Sequence, residues 1–371
     1  MNTNPKDDLL LKDYNPRPSL VTKDSTPPKS KFQVIDSHNH FGRWKWDTKL
    51  HKRDDKSEWN STVHSPHPEG DWSIQNIPAA LDIMDEMNIR CIVNLDGGWG
   101  TLLQQNLDRY KVPYPDRFCV FAWIDWSEVD EPHFGEKWAK ELRNSVKAGA
   151  QGLKVFKSLG LKYRDQSGKL IMPDDPRLDP IWAIAGELKI PVLIHSSDPV
   201  AFFWTLDEHN ERWDELHDHP EWHCYGKNFP GFIEPIMAQL RVVERHPQTK
   251  FISAHCISYS ENLAFVSKAL DKYPNLYIDF AERIGELGRQ PYSARKFLIK
   301  YADRVLFGTD SFNPSKLIYQ TYYRFLETDD EYFDYHRNQG RWRIYGVFLP
   351  DDVLRKVYYE NVCKLIPGLH C

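Results

Sequence analysis

From Lys31 onward the chain alternates short apolar runs with stretches of helical period. The runs are FQVID (32–36), RCIVNLD (90–96), RFCVFAWI (117–124), GLKVF (152–156), PVLIH (191–195), KFISAH (250–255), LYIDF (276–280) and RVLFG (304–308). Between them lie amphipathic segments such as IPAALDIMDEM, GEKWAKELRNSVKAG, LDPIWAIAGEL, FIEPIMAQLRVVERH and ENLAFVSKALDKY. Apolar runs of this length separated by helices predict buried parallel strands joined by crossovers. Eight of them in one rhythm predict an α/β chain folded as a closed (β/α)8 TIM barrel rather than an open doubly wound sheet.

Residues 1–31 carry Pro, Lys, Asp and Ser without hydrophobic periodicity and are read as an extended N-terminal arm. Residues 32–371 are then a single barrel domain. Two connections are too long for turns: Phe41 to about Ser73 after strand one, and Ser196 to about Pro230 after strand five. Both leave the C-terminal strand ends, where barrel enzymes place their chemistry. The stretch LETDDEYFDYHRNQGRWRIYGVF after the last barrel unit is a further cover for the mouth. LPDDVLRKVYYENVCKLI reads as a closing helix, with Asp in its first turn, docked on the outside of the barrel.

Composition narrows the function classes. With 48 Lys+Arg against 53 Asp+Glu, the formal charge of -5 gives no general attraction for nucleic acid or an anionic membrane. No apolar run approaches a membrane span, and the N-terminus has no signal-peptide core. The six cysteines (91, 119, 224, 256, 363 and 371) show no CxxC and read as buried free thiols, so the expected compartment is the reducing cytoplasm. GxSxG, GxxxxGK[ST] and GxGxxG are absent, which removes the serine-hydrolase, P-loop and dinucleotide readings.

The candidate chemistry sits at strand ends. His38 and His40 close the first run in VIDSHNH, and a period of two puts both imidazoles on one face. His195 ends strand five, His255 ends strand six, and Asp310 follows FGT after strand eight. Lys154 lies between Leu153 and Val155, so if those two face the helices it faces inward. Any one of these alone is commonplace; their coincidence at one end of one barrel predicts a divalent metal centre. Imidazole and carboxylate donors suit Zn2+ first, with Mn2+ or Fe2+ as alternatives.

On the motifs DSHNH, PVLIH, ISAHC, FGTDSF and YYENVCKL, the chain from about Phe32 to Leu365 resembles the amidohydrolase superfamily of metal-dependent TIM-barrel hydrolases. It looks most like the amidohydrolase-related (amidohydrolase 2) branch, which includes lactonases and aromatic-acid decarboxylases. The resemblance implies that His38, His40 and His195 ligate metal, and that Asp310 both ligates and acts as base. It implies that His255 binds a second metal or hydrogen-bonds the substrate's oxyanion. Lys154 is either a carbamylated bridge between two ions or an uncarbamylated contact for a substrate oxygen, with Lys157 as its rival. The number of ions, one or two, stays open, and a homodimer is expected because such barrels often pair.

The leading expectation is hydrolysis of a C–O or C–N bond in a small carbonyl compound (a lactone, ester or amide), using a metal-activated water with Asp310 as general base. The alternatives are a non-oxidative decarboxylase of an unsaturated or aromatic acid on the same scaffold, and a catalytically inactive metal-binding barrel. Among substrate contacts, Arg283 after strand seven suits a bidentate grip on a carboxylate. Trp44, Trp99, Trp204 and Tyr259, in loops after strands, are candidates for holding a flat sugar or aromatic ring.

Overall fold

The computed structural model describes residues 9, 10, 14, 16–42 and 73–369. All eight runs form strands: β1 (Val34–Asn39), β2 (Ile89–Asn94), β3 (Phe118–Val120), β4 (Leu153–Val155), β5 (Val192–Ile194), β6 (Phe251–Ser253), β7 (Leu276–Asp279) and β8 (Val305–Leu306). Neighbours pair in parallel from β1 to β3 and from β4 to β8. Backbone bonds join the two groups at both seams. Ala122 N donates to Gly152 O (2.8 Å) and Lys154 N to Ala122 O (2.9 Å), while Ser37 N donates to Phe307 O (3.0 Å) and His40 N to Ser311 O (2.9 Å). The result is the closed parallel barrel that the alternation predicts.

Strand alternation divides the core in two. Val34, Ile92, Phe118, Val120, Leu153, Val155, Val192 and Val305 face outward and pack under the helices. Ile35, Cys91, Val93, Cys119, Leu193, Ile252 and Leu306 fill the barrel interior. The helices form where expected, including α1 (Ile77–Glu86), α2 (Phe134–Ala148), α3 (Asp179–Glu187), α4 (Ile233–Arg245), α5 (Leu263–Lys272), α6 (Pro291–Lys300) and α7 (Lys316–Glu327). Asn76 caps α1 by accepting from Ala79 N, and Asn262 caps α5 by accepting from Phe265 N, each satisfying an orphan donor of a first turn. Among the described residues, no helix is long and apolar enough to cross a membrane.

Two expectations need correction. The closing helix is two short pieces, Asp351–Arg355 and Asn361–Leu365, around a π turn at Lys356–Glu360. It does not simply dock on the outside. Val362, Leu365 and Ile366 pack against the interior cluster, because the floor of the barrel needs apolar cover as much as its wall does. The cysteines are not all free thiols: Cys91, Cys119, Cys224 and Cys256 are free and buried, but Cys363 is disulfide-bonded.

Candidate metal centre and cavity

Strand β1 carries a register irregularity between Asp36 and Asn39; His38 lies within it and His40 just after it. His38 Nδ1 lies 2.9 Å from Asp279 Oδ2, and His40 Nδ1 lies 2.7 Å from Asp96 Oδ1. A carboxylate that holds Nδ1–H leaves Nε2 as a lone-pair donor, the arrangement found behind metal-ligating histidines. The two Nε2 atoms sit 3.5 and 3.2 Å from Asp310 Oδ1. Gly42 is needed beside this pair, because a Cβ there would lie 2.1 Å from the Asp96 carbonyl oxygen.

Electrostatics favour a cation between these groups. Burial pushes the His40 ring down, but Asp96 and Asp310 outweigh it and lift it to about 9. Burial likewise pushes the Asp310 carboxyl up, yet the facing His38 and His40 rings hold it well below the usual carboxylate range. His38 is lowered, first by burial and then by the charge of Lys154. Three carboxylates (Asp96, Asp279 and Asp310) thus surround two imidazoles. The donor set of His38, His40 and Asp310, with atoms within 4.8 Å of one another, fits a divalent ion.

Lys154 takes the inward position of β4, as Leu153 and Val155 face the helices. It is 1% exposed, with Nζ 3.3 Å from His38 Nε2 and 5.0 Å above the Phe156 ring. His255 opens a run of four left-handed residues, with φ of 57°, 55°, 59° and 53° through Ser258. Its backbone N–H donates to Asp279 (2.9 Å) and its Nδ1 donates to Ala281 O (2.7 Å). That leaves Nε2 buried without a hydrogen-bond partner, 3.8 Å from Asp310 Oδ2. His195 stands beside this group rather than in it. Its ring packs edge-on against His255 at 4.3 Å, but Nε2 is committed to the Ser197 carbonyl at 2.8 Å, so only Nδ1 remains for ligation.

A cavity of about 660 Å³ opens above the cluster, lined by His40, His195, His255 and Asp310 below and by Phe156, Phe202, Trp222 and Phe312 on the walls. Its roof is the post-β5 loop together with residues from the stretch after α7, including Arg337 and Gln339. The two segments are clasped by Arg341 on Asp214 (2.8 and 2.9 Å) and by Asn338 on Asp218 (3.3 Å).

The expected substrate contacts divide. Arg283 and Lys157 line the cavity, though Lys157 is gripped by both oxygens of Asp198 at 2.8 and 2.7 Å. Three aromatic candidates are elsewhere. Trp99 packs edge-on against Trp138 at 5.7 Å, Trp204 is 50% exposed, and Tyr259 packs on Phe232 at 4.8 Å. None of the three lines the cavity. Trp44 lies outside the described residues. Sequence reasoning passes over Asp96 and Asp279, which close NLD and YID at strand ends as the histidines do, and Arg337; Glu282, which it offers as a salt-bridge partner for Arg283, pairs with Arg337 on the cavity wall instead.

Solved structures share this architecture. The chain is similar to 2,6-dihydroxybenzoate decarboxylase in complex with 2,6-dihydroxybenzoate, at 17% identity and a TM-score of 0.55, covering 90% of this chain and 99% of that one. It is similar to 5-carboxyvanillate decarboxylase from Novosphingobium aromaticivorans, complexed with manganese and a nitrobenzoic acid, at 15% identity and a TM-score of 0.54, covering 92% and 99%. A putative amidohydrolase from Staphylococcus aureus matches at 16% identity and a TM-score of 0.52, covering 90% and 99%. At such identities these likenesses speak to the fold. No curated protein matches. The sequence model of the family described as amidohydrolase matches residues 105–367, well over half of the chain, and with that match the chain belongs to the amidohydrolase family.

Proposed function

We propose that the chain is a metal-dependent, non-oxidative decarboxylase of a flat aromatic or unsaturated carboxylic acid. One observation carries this above ester or lactone hydrolysis. The cations on the cavity wall are Lys157, Arg212, Arg283 and Arg337. Lys157 is paired with Asp198, Arg212 with Glu215 and Glu286, and Arg337 with Glu282. Among the described residues, Arg283 makes no ion pair at contact distance, although its charge acts on Glu215, Glu261 and Glu282. Its Nη1 donates to the Glu282 carbonyl, and its buried Nε has no partner at all. A guanidinium left in that state beside the cluster calls for an anionic substrate.

His38, His40 and Asp310 would hold the ion, zinc or manganese, with His195 Nδ1 as a further donor. Such an ion supplies a Lewis acid that draws electron density from an oxygen of the substrate. The chain supplies the rest. Arg283 orients the acid, and the rings of Phe156 and Phe312, 5.5 and 6.1 Å from His40, offer apolar walls to a planar molecule. The bond between the carboxylate and its carbon breaks with the electron pair kept on that carbon, CO2 departs, and a proton takes its place. Asp310, held as a carboxylate, would first take that proton from water or from an acidic hydroxyl of the substrate and then return it to the carbon, and the bare Nε2 of His255 could relay it. The family's decarboxylase-like neighbours in fold support the reading. Lys154 remains an amine in it, its Nζ 3.3 Å from His38 Nε2.

Hydrolysis is the second reading, favoured by Asp310 being held as a carboxylate, ready to act as a base. The test is a panel assay of the zinc- and manganese-loaded protein: CO2 release from hydroxybenzoic and related unsaturated acids, against hydrolysis of neutral esters, lactones and amides. CO2 release from an acid, lost by about 100-fold or more in Asp310→Asn, is expected. Turnover of neutral esters or lactones with no CO2 from any acid would overturn the proposal.

A further inference from the structure

Asp36 precedes the two histidines on β1 and has no exposed surface. Its Oδ1 accepts from His38 N (3.3 Å) and Thr309 N (3.0 Å). Its Oδ2 accepts from Thr309 Oγ1 (2.6 Å) and Tyr319 Oη (3.0 Å). Among the described residues no lysine, arginine or histidine side chain pairs with it. A buried carboxylate with no counter-charge is expensive to keep. Ordinary packing at a barrel seam would be served by an apolar side chain or an amide.

A carboxylate, however, can collect four donors from separate pieces of chain. Here it gathers β1 itself, the turn after β8, and helix α7. The same helix reaches the turn a second time: Tyr322 Oη lies 3.4 Å from the Thr309 carbonyl while accepting from Glu282 N at 2.9 Å. Thr309 is therefore held at its N–H, its hydroxyl and its carbonyl. The residue it precedes is Asp310, whose φ of 58° is a region that residues other than glycine avoid. Asp310 N donates to His38 O at 2.8 Å, and this conformation brings its carboxylate under both Nε2 atoms.

We propose that Asp36 and Tyr319 are positioning residues of the metal centre: acting through Thr309, they hold Asp310 in the conformation that lets one carboxylate oxygen meet His38 and His40 together. They thereby set the affinity for the ion rather than the stability of the barrel. This rests on the reading of His38, His40 and Asp310 as the ion's ligands, and asks nothing of the substrate.

The experiment titrates the metal-free protein with Zn2+ and Mn2+ against a chelating dye, and records the melting temperature of each metal-free variant. Asp36→Asn and Thr309→Val should weaken metal binding by about 10–100-fold, as loss of outer contacts at metal sites does. Tyr319→Phe, which removes one donor of four, should weaken it by less. Thr309→Ser, which keeps the hydroxyl, should bind as the wild type does, and the metal-free melting temperatures of the Thr309 pair should agree. Equal affinity in Thr309→Val and Thr309→Ser would overturn the proposal, as would wild-type affinity in Asp36→Asn. If Asp36→Asn does not fold, the Thr309 pair decides. His40→Ala is the control: wild-type binding there would remove the metal-centre reading itself, a result distinct from the failure of Asp36 and Tyr319 alone.

Discussion

Lys154 Nζ and His38 Nε2 lie 3.3 Å apart, both buried, the lysine being 1% and the histidine 0% exposed. Burial lowers the lysine to about 8; the single-ion reading keeps it an amine, the two-ion reading makes it a bridging carbamate. Lys154→Met, close in volume, tests the distinction. In the single-ion arrangement the variant keeps one metal ion per chain and binds it at least as tightly, since a like charge has been withdrawn from the ligands. Elemental analysis reads the outcome; a drop from two ions to one or none would instead establish the bridge.

Asp96 and Asp279 should matter to the metal although neither faces the cavity. Each fixes the tautomer of a histidine through Nδ1, at 2.7 and 2.9 Å. Asp96→Ala frees the His40 ring to rotate and should cost about 10–100-fold in metal affinity, measured by chelator competition. Affinity equal to the wild type would show that the ring is held by packing alone.

How much of this was legible beforehand follows from what each signal constrains. The eight strands were legible because outward and inward positions alternate over apolar residues, and the same alternation placed Lys154 inward from its neighbours Leu153 and Val155. His38, His40, His255 and Asp310 were legible because histidines ending buried strands in register are rare by chance. Asp96 and Asp279 were not singled out, since an acid after a strand is most often a helix cap or a turn residue. His195 reads identically to His255 in sequence; only the fold-back of Ser197 onto its Nε2 separates them. Trp99, Trp204 and Tyr259 show the limit of loop aromatics as pocket markers, because ring–ring packing and exposure compete for the same residues. The floor of the barrel was missed because an amphipathic helix does not say which apolar surface it will cover.

Glu282 gives the stability curve a definite slope. Burial raises its carboxyl to about 7, against the pull of Arg337. The folded chain therefore holds this proton more tightly than the unfolded one. Between about 4.5 and 7 it binds more protons when folded, and stability falls as pH rises through that window. Glu282→Gln keeps an acceptor for Arg337 but cannot ionise. Its stability relative to the wild type should rise across the same window by at most about 3 kcal/mol. Urea unfolding at pH 5 and pH 7.5 measures the difference, and parallel curves for the two proteins would contradict the assignment.

The floor can be loosened without touching the mouth. Asn361 is fully buried, and its Nδ2 donates to the carbonyls of Ala302 (2.7 Å) and Val305 (2.8 Å), tying the closing helix to β8. Asn361→Ala leaves those carbonyls without their donor and should destabilise the chain by about 1–3 kcal/mol. Metal affinity should stay as in the wild type, since no ligand moves. A loss of metal binding in step with stability would mean that the two ends of the barrel are coupled.

The proposal of an acidic substrate is sharpest at Arg283. Its Nε is buried and unpartnered, and its Nη1 donates to the Glu282 carbonyl at 2.9 Å. Lysine at this position would keep the charge but lose the planar pair of donors; methionine would lose both. A charge-assisted hydrogen bond is worth about 1.5–3 kcal/mol, or roughly 10–150-fold. Arg283→Met should therefore lower kcat/KM on carboxylic acids by that factor, with Arg283→Lys in between. Metal content should be unchanged, because the guanidinium is not a ligand. If Arg283 is merely structural, Arg283→Met lowers the melting temperature while acid and neutral substrates suffer alike. Selective loss on the acid, at constant metal content, separates recognition of the substrate from support of the fold.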